Sequence, residues 1–268
     1  MIILLAIPGA YLVLSRLKTW PERISWIIIN PALIFSLCFA FSENPLLSTV
    51  VIFLLSFISW QSAYDIGYLV NDFITVRYES KPNIRVKGEL AQKIRKLLFP
   101  LIAIRIFVAA IFLLVCFLYW QETELRFRFG VFFIGMLLSQ LLFFSHNFIR
   151  SRINILTYFF LCVTKYLTLP LSFYFGDNVV VVVFGIILVF PFLRTIEHSS
   201  KPKYKIKILS PVFSNLGFNR LIYYTLVFML FSFLTLFFAY PEFKVFSCVS
   251  GFMLLYRAAI WFRYEYLR

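Results

Sequence analysis

Eight stretches of this chain are apolar for long enough to cross a bilayer core as helices, each near the roughly 20 residues such a crossing requires. They run at 24–42, 47–70, 97–120, 128–149, 153–174, 178–193, 221–240 and 244–262. A further run, Ile2 to Leu14, is shorter and is interrupted by Pro8 and Gly9; a tilted ninth helix, a re-entrant segment and an interfacial segment are all open for it. The basic cluster follows this run instead of preceding it, which argues against a cleaved signal peptide. With 62% hydrophobic and only 14% charged residues, the composition also lies outside the soluble range. The expected fold is all-α, a polytopic membrane protein of eight to nine transmembrane helices forming one domain over residues 1–268.

The formal charge of +14 invites a nucleic-acid reading, which the placement of the charges excludes. Of 26 Lys and Arg, 20 fall before the first span, in alternate connections, or in the C-terminal tail. The other connections hold only Arg126, Arg128 and Lys244. That alternation is the positive-inside pattern and places the basic loops in the cytoplasm. Cys38, Cys116, Cys162 and Cys248 lie within spans without metal-ligand spacing, so neither a disulfide framework nor a zinc site is expected.

A chain with so few acids spends several in "YDIGYLVNDFITVRYESKP", Tyr64 to Pro82, where the second span meets the cytoplasmic boundary. Asn71, Thr75 and Glu79 are spaced i, i+4, i+8 and share a helical face, with Asp65 and Asp72 on a neighbouring one. Such a row offers oxygen ligands to a divalent cation and, through it, to a diphosphate. The plainer alternative is a helix boundary whose charges pair with Arg77 or Lys81. Asp65 lies inside the apolar zone, where an unpartnered carboxylate costs about 2.5 kcal/mol or more.

Arg150 and Arg152 flank the turn between the fourth and fifth spans. Lys165 follows 13 residues after Arg152, about 20 Å along a helix at ~1.5 Å per residue. So deep a lysine calls for a partner across helices or a polar cavity; Asp65 is one candidate partner. Arg105 and Arg257 raise the same question. In "RTIEHSSKPKYKIKI" the adjacent Glu197 and His198 invite an acid/base reading, but a lone histidine in a basic loop is expected at the surface, and the alternating lysines suit anionic headgroups.

Four segments resemble the UbiA-type intramembrane prenyltransferases, and within them the decaprenyl-phosphate phosphoribosyltransferase branch. They are "LKTWPERISWIIINPALIFS", the acidic stretch continuing through "KPNIRVKGELAQ", "FFSHNFIRSRINILTYFFLCVTKYL", and "FPFLRTIEHSSKP". The acidic stretch is similar to the family's NDxxDxxxD motif, and Arg194 and Glu197 stand at the places of the branch's KRxxE ending.

The resemblance implies a bacterial inner-membrane transferase that moves a diphosphate-activated group, phosphoribosyl or prenyl, to or from a lipid or aromatic acceptor, with phosphoribosyl transfer to polyprenyl phosphate as its most specific form. It implies magnesium on Asn71, Asp72 and Glu79, helped by Asp65 or Thr75. It also implies a catalytic role for Asp72, Asn71 and Lys165, and phosphate contacts from Arg77, Lys81, Arg85, Lys87, Arg150, Arg152, Arg194 and Glu197. The partners implied are polyprenyl phosphate and a diphosphate-bearing small molecule. Departures accompany the matches: Thr75 stands where the family has Asp, Glu79 is one methylene longer, the second Asp-rich motif is not visible, and eight spans are evident where the family has nine. These favour an alternative, a catalytically degenerate relative that binds polyprenyl lipid as a scaffold or subunit.

Overall fold

A computed structural model of the chain describes residues 3–78, 82–149, 151–209, 211 and 214–266, with 264–266 described by backbone alone. Glu79, Lys81 and Arg150, three of the residues nominated above, lie outside the described residues. A 3-10 turn at Ile3–Ala6 leads to α1 (Ala10–Arg16), α2 (Trp20–Phe41), α3 (Leu46–Phe73), a second 3-10 turn at Thr75–Tyr78, α4 (Gly88–Lys96) and α5 (Leu98–Thr123). Then follow α6 (Phe129–Phe148), α7 (Ile153–Phe173), α8 (Val179–Ser199), α9 (Leu216–Phe237) and α10 (Pro241–Tyr266). No strand occurs among the described residues. Eight of these helices, α2, α3 and α5 to α10, are long and apolar enough to cross a membrane, in the order that hydropathy predicts. The chain is a polytopic helical membrane protein.

Local chemistry sets several of the helix details. Thr19 caps α2 in a reciprocal capping box with Glu22: the Thr19 amide donates to Glu22 Oε2 at 2.8 Å and the Glu22 amide to Thr19 Oγ1 at 3.5 Å. This satisfies two of the amides that every helix start leaves unpaired. Pro31 in α2 and Pro191 in α8 each sit in a single π-helical turn, Ile28–Ala32 and Leu188–Phe192. A proline inside a helix removes one amide donor and crowds the preceding turn, and a local widening accommodates it.

The described chain divides into two compact units, one of Met1–Ser151 with Thr168–Phe175, the other of Arg152–Leu167 with Gly176–Arg268. In the first, α3 is the central helix and packs against α5 and α6. Its small residues permit close approach, as is usual for helices that pair in lipid. Ser59 Oγ donates to the Ala109 carbonyl of α5 at 2.8 Å, and the Phe143 ring of α6 lies 2.3 Å from where a Cβ on Gly67 would stand. Asn147 closes the same contact by donating to the Gly67 carbonyl at 2.9 Å.

The N-terminal run is no ninth span. Its 3-10 turn passes through Gly9, whose φ of +82° suits glycine, into the seven-residue α1. Leu5 and Tyr11 pack into a buried cluster with Leu69 and Phe73 of α3, Ile94 of α4, and Leu98 and Leu101 of α5. The physical reason is the one hydropathy cannot weigh: Pro8 and Gly9 break the run, and its backbone is satisfied by side chains of other helices.

In the second unit α9 and α10 form a hairpin joined through Phe231 and Phe246, with ring centroids 5.3 Å apart, and through Ser232 and Ser247, with oxygens 2.9 Å apart. Phe246 also lies against Gly185 of α8, 2.3 Å from where a Cβ would be. The π turn of α8 is supported from α9: Tyr223 donates to the Leu188 carbonyl at 2.5 Å and Tyr224 to the Val189 carbonyl at 3.0 Å.

Candidate functional site

Two polar clusters interrupt these apolar surfaces, one in each unit. The first is the acidic face of α3. Asp72, its side chain 4% exposed, is fully engaged. Its Oδ2 accepts from Arg16 Nη1 at 2.8 Å and from the Tyr11 hydroxyl at 2.7 Å, while its Oδ1 accepts from Arg16 Nη2 at 2.9 Å and from Asn71 Nδ2 at 3.0 Å. Arg85 Nε stands 3.6 Å from Oδ1. Arg16 also lies over the Tyr68 ring at 4.1 Å. Burial and the neighbouring Asp72 carboxylate push the Tyr11 hydroxyl well above its ordinary value, so it stays a donor. Burial, with the like charge of Arg16, pulls the Arg85 guanidinium down.

Asp65 is fully buried and equally engaged. Its Oδ2 accepts from the Gly9 amide at 2.6 Å and lies 3.4 Å from Arg105 Nη2, and its Oδ1 accepts from Gln61 Nε2 at 2.8 Å. Arg105 in turn donates to the carbonyls of Leu5, Ala6 and Ile7 at 2.6, 2.8 and 2.6 Å. The partner of Asp65 is therefore Arg105. The deep acid and the deep arginine together grip the ends of the N-terminal turn, and each satisfies the other's buried charge.

The expected row of ligands is not continuous. The α-helix ends at Phe73, and Thr75 sits in a 3-10 turn, buried, its hydroxyl 3.4 Å from the Asn71 carbonyl. The β-branched sequence Ile74, Thr75, Val76 and the hydroxyl's bond to the preceding turn both work against continuing the helix. Asn71, Asp72, Thr75 and Asp65 do not fit a magnesium ion in this arrangement, because both carboxylates spend their oxygens on guanidinium, hydroxyl and amide donors. Among the described residues no three His, Cys, Asp or Glu side chains come together in a group able to hold a metal ion. Arg77, Lys87 and Arg152 are exposed, and among the described cations of the loop Arg85 is the one that reaches Asp72.

The second cluster lies in the second unit on α7, α8, α9 and α10. Glu197 receives Arg220 bidentately, Nε at 2.5 Å and Nη2 at 3.0 Å. Arg194 is within electrostatic reach of Lys165, Glu197, Tyr158, Tyr166, Tyr224 and Arg257. Lys165 Nζ lies 5.5 Å from the centre of the Tyr166 ring, and Tyr166 stacks on Phe190 at 4.6 Å. Among the described residues Arg194, Arg220 and Arg257 thus share the Glu197 carboxylate within helices long enough to cross a membrane, with Lys165 beside Arg194.

Beside this cluster His198 is buried, not at the surface. Its ring stacks on Tyr158 at 4.0 Å; Nε2 is 2.5 Å from the Tyr204 hydroxyl and 3.2 Å from Asn154 Oδ1, and Nδ1 is 3.3 Å from Lys201 Nζ. Tyr204 donates to Asn154 Oδ1 at 2.6 Å. The 3-10 turn at Pro202–Tyr204 folds the tyrosine back over the end of α8 and covers the imidazole; an alternating run of lysines gives no sign of that turn.

Lys165, Arg194 and Glu197 are thus brought into one cluster as a group, while Asn71 and Asp72 belong to another. Sequence reasoning missed Tyr11, Arg16 and Arg220 altogether. Intramembrane depth was the signal for Arg105 and Arg257, and it was a real one. Comparison with protein-family models, with curated proteins and with solved structures finds no match for this chain.

Proposed function

We propose that this chain is a UbiA-like membrane protein that holds a lipid by its phosphate group, a polyprenyl phosphate in the form the resemblance implies, with Lys165 and Arg194 contacting the phosphate. One observation carries the proposal: Arg194, Arg220 and Arg257 gather around the carboxylate of Glu197, and Lys165 lies within electrostatic reach of Arg194. Cations held together in a medium of low dielectric repel one another, and the excess is relieved by an anion. Guanidinium and ammonium groups are the usual partners of phosphate. Binding without metal-assisted transfer is the role that suits Asp72, whose oxygens are already committed.

A second reading, transfer, is favoured by the buried His198 network beside the cluster, which sets a proton-handling group near the phosphate seat. In it the lipid phosphate oxygen attacks the activated carbon of a diphosphate-bearing donor; the new C–O bond forms as the bond to the diphosphate breaks, and the diphosphate leaves with the electron pair.

The test uses the full chain in nanodiscs with radiolabelled polyprenyl phosphate. Wild type is expected to retain the lipid, and the double variant Lys165→Met with Arg194→Gln to lose it. A wild type that retains none overturns the proposal. Label moving from ribose-labelled phosphoribosyl pyrophosphate into the lipid phase establishes the second reading in place of the first.

A further inference from the structure

Arg257 on α10 is a cation that the phosphate-binding reading leaves without a stated task. The residue is 7% exposed, and its Nε is buried with no hydrogen-bond partner among the described residues. It lies within electrostatic reach of Arg220, Arg194, Tyr224 and Glu197, and its guanidinium is 5.4 Å from the Tyr256 ring. Among the described residues the carboxylate in reach, Glu197, is already taken bidentately by Arg220. A buried guanidinium donor with nothing to donate to is costly and uncommon, and a site of this kind calls for an acceptor. That acceptor has to be anionic, because Arg194, Arg220 and Arg257 already crowd the same space.

We infer that Arg257 is a direct ligand of the bound phosphate, donating Nε–H to a non-bridging oxygen, and that it makes the site selective for a phosphate monoester over a phosphodiester. The inference rests on the proposed function. Its charge logic is simple: the Arg220–Glu197 pair neutralises itself and acts as a positioning element, leaving Arg194 and Arg257 as two positive charges. A monoester dianion compensates both and presents three non-bridging oxygens. The monoanionic diester of an ordinary phospholipid compensates one and presents two. The planar guanidinium adds a directional requirement that an ammonium lacks, since only it carries a donor at the Nε position.

The experiment compares wild type with Arg257→Gln and Arg257→Lys as full chains in nanodiscs, titrated with farnesyl phosphate, with inorganic phosphate and with the soluble phosphodiester headgroup glycerophosphoglycerol. Wild type is expected to bind farnesyl phosphate at least about tenfold more tightly than the diester, and both variants to lose about tenfold for the monoester while binding the diester unchanged. Inorganic phosphate binding as tightly as farnesyl phosphate identifies a free anion as the occupant and overturns the lipid assignment. If wild type binds none of the probes, the proposed function itself fails. If wild type binds farnesyl phosphate and Arg257→Lys binds it equally, the function stands and the role of Arg257 is wrong. Arg257→Lys keeps the charge, so it remains informative if Arg257→Gln does not fold.

Discussion

Arg16 grips Asp72 with two parallel hydrogen bonds, Nη1 to Oδ2 at 2.8 Å and Nη2 to Oδ1 at 2.9 Å, across 56 residues of chain. This fork geometry is the strong form of a guanidinium–carboxylate contact. It places a side chain of the protein itself where the resemblance puts a metal ion, and it ties α1 to the end of α3. Asp72 is then a structural anchor, and its loss is felt as stability.

Asp72→Asn keeps the shape but leaves Arg16 facing a neutral amide. A loss of about 2–3 kcal/mol is expected, toward the lower end for a pair that is not wholly buried. Tyr11→Phe removes one hydrogen bond and should cost about 1 kcal/mol. Denaturation in detergent followed by tryptophan fluorescence measures both; an Asp72→Asn protein as stable as wild type would contradict the anchor.

Metal binding gives an independent check. Titration with Mn2+, read by its paramagnetic resonance signal, should give the same curve for wild type and Asp72→Asn. A saturable component lost in the variant would restore the metal reading. Thr75→Asp, which would complete the acidic motif, should lower thermal stability, because Thr75 is fully buried and a carboxylate there is taken out of water.

The Tyr11 hydroxyl gives a pH signature. Its folded value is raised above the ordinary 10.0 by burial and by Asp72. The unfolded chain therefore releases this proton first as pH rises, and the stability Tyr11 contributes is whole below about pH 10 and declines above it. Between pH 9 and 11 wild type should lose more stability than Tyr11→Phe. Parallel curves for the two proteins would mean that the hydroxyl titrates normally.

Sidedness follows from the charge pattern. Asp177 and Lys203 are exposed just beyond opposite ends of α8. A cysteine at Lys203 should be shielded from an impermeant thiol reagent in intact cells, and one at Asp177 should react. The reverse result would turn the whole orientation over.

The eight spans were legible because a membrane crossing needs only length and apolarity, both written locally. So were the start of α2, from Thr19 and Glu22, and the intramembrane oddity of Asp65, Arg105, Lys165 and Arg257. Each is a statement about a residue and its near neighbours, or about its depth along one helix. What the sequence by itself could not determine was who meets whom. The spacing of Asn71, Thr75 and Glu79 describes an α-helical face, yet the helix ends at Phe73 and the nearest cation to Asp72 comes from α1. Asp65 had several deep cations to choose from and is met by Arg105, because that arginine also satisfies three carbonyls of a turn made by Pro8 and Gly9. His198 reads as a loop residue until Tyr204 folds back over it. Ion pairs and buried hydrogen bonds form between groups far apart in the chain, and their energies depend on distance and burial that arise only when helices pack. Tertiary structure alone decided that the acidic face holds the chain's own N-terminal segment, and that the arginines of α8, α9 and α10 share one carboxylate.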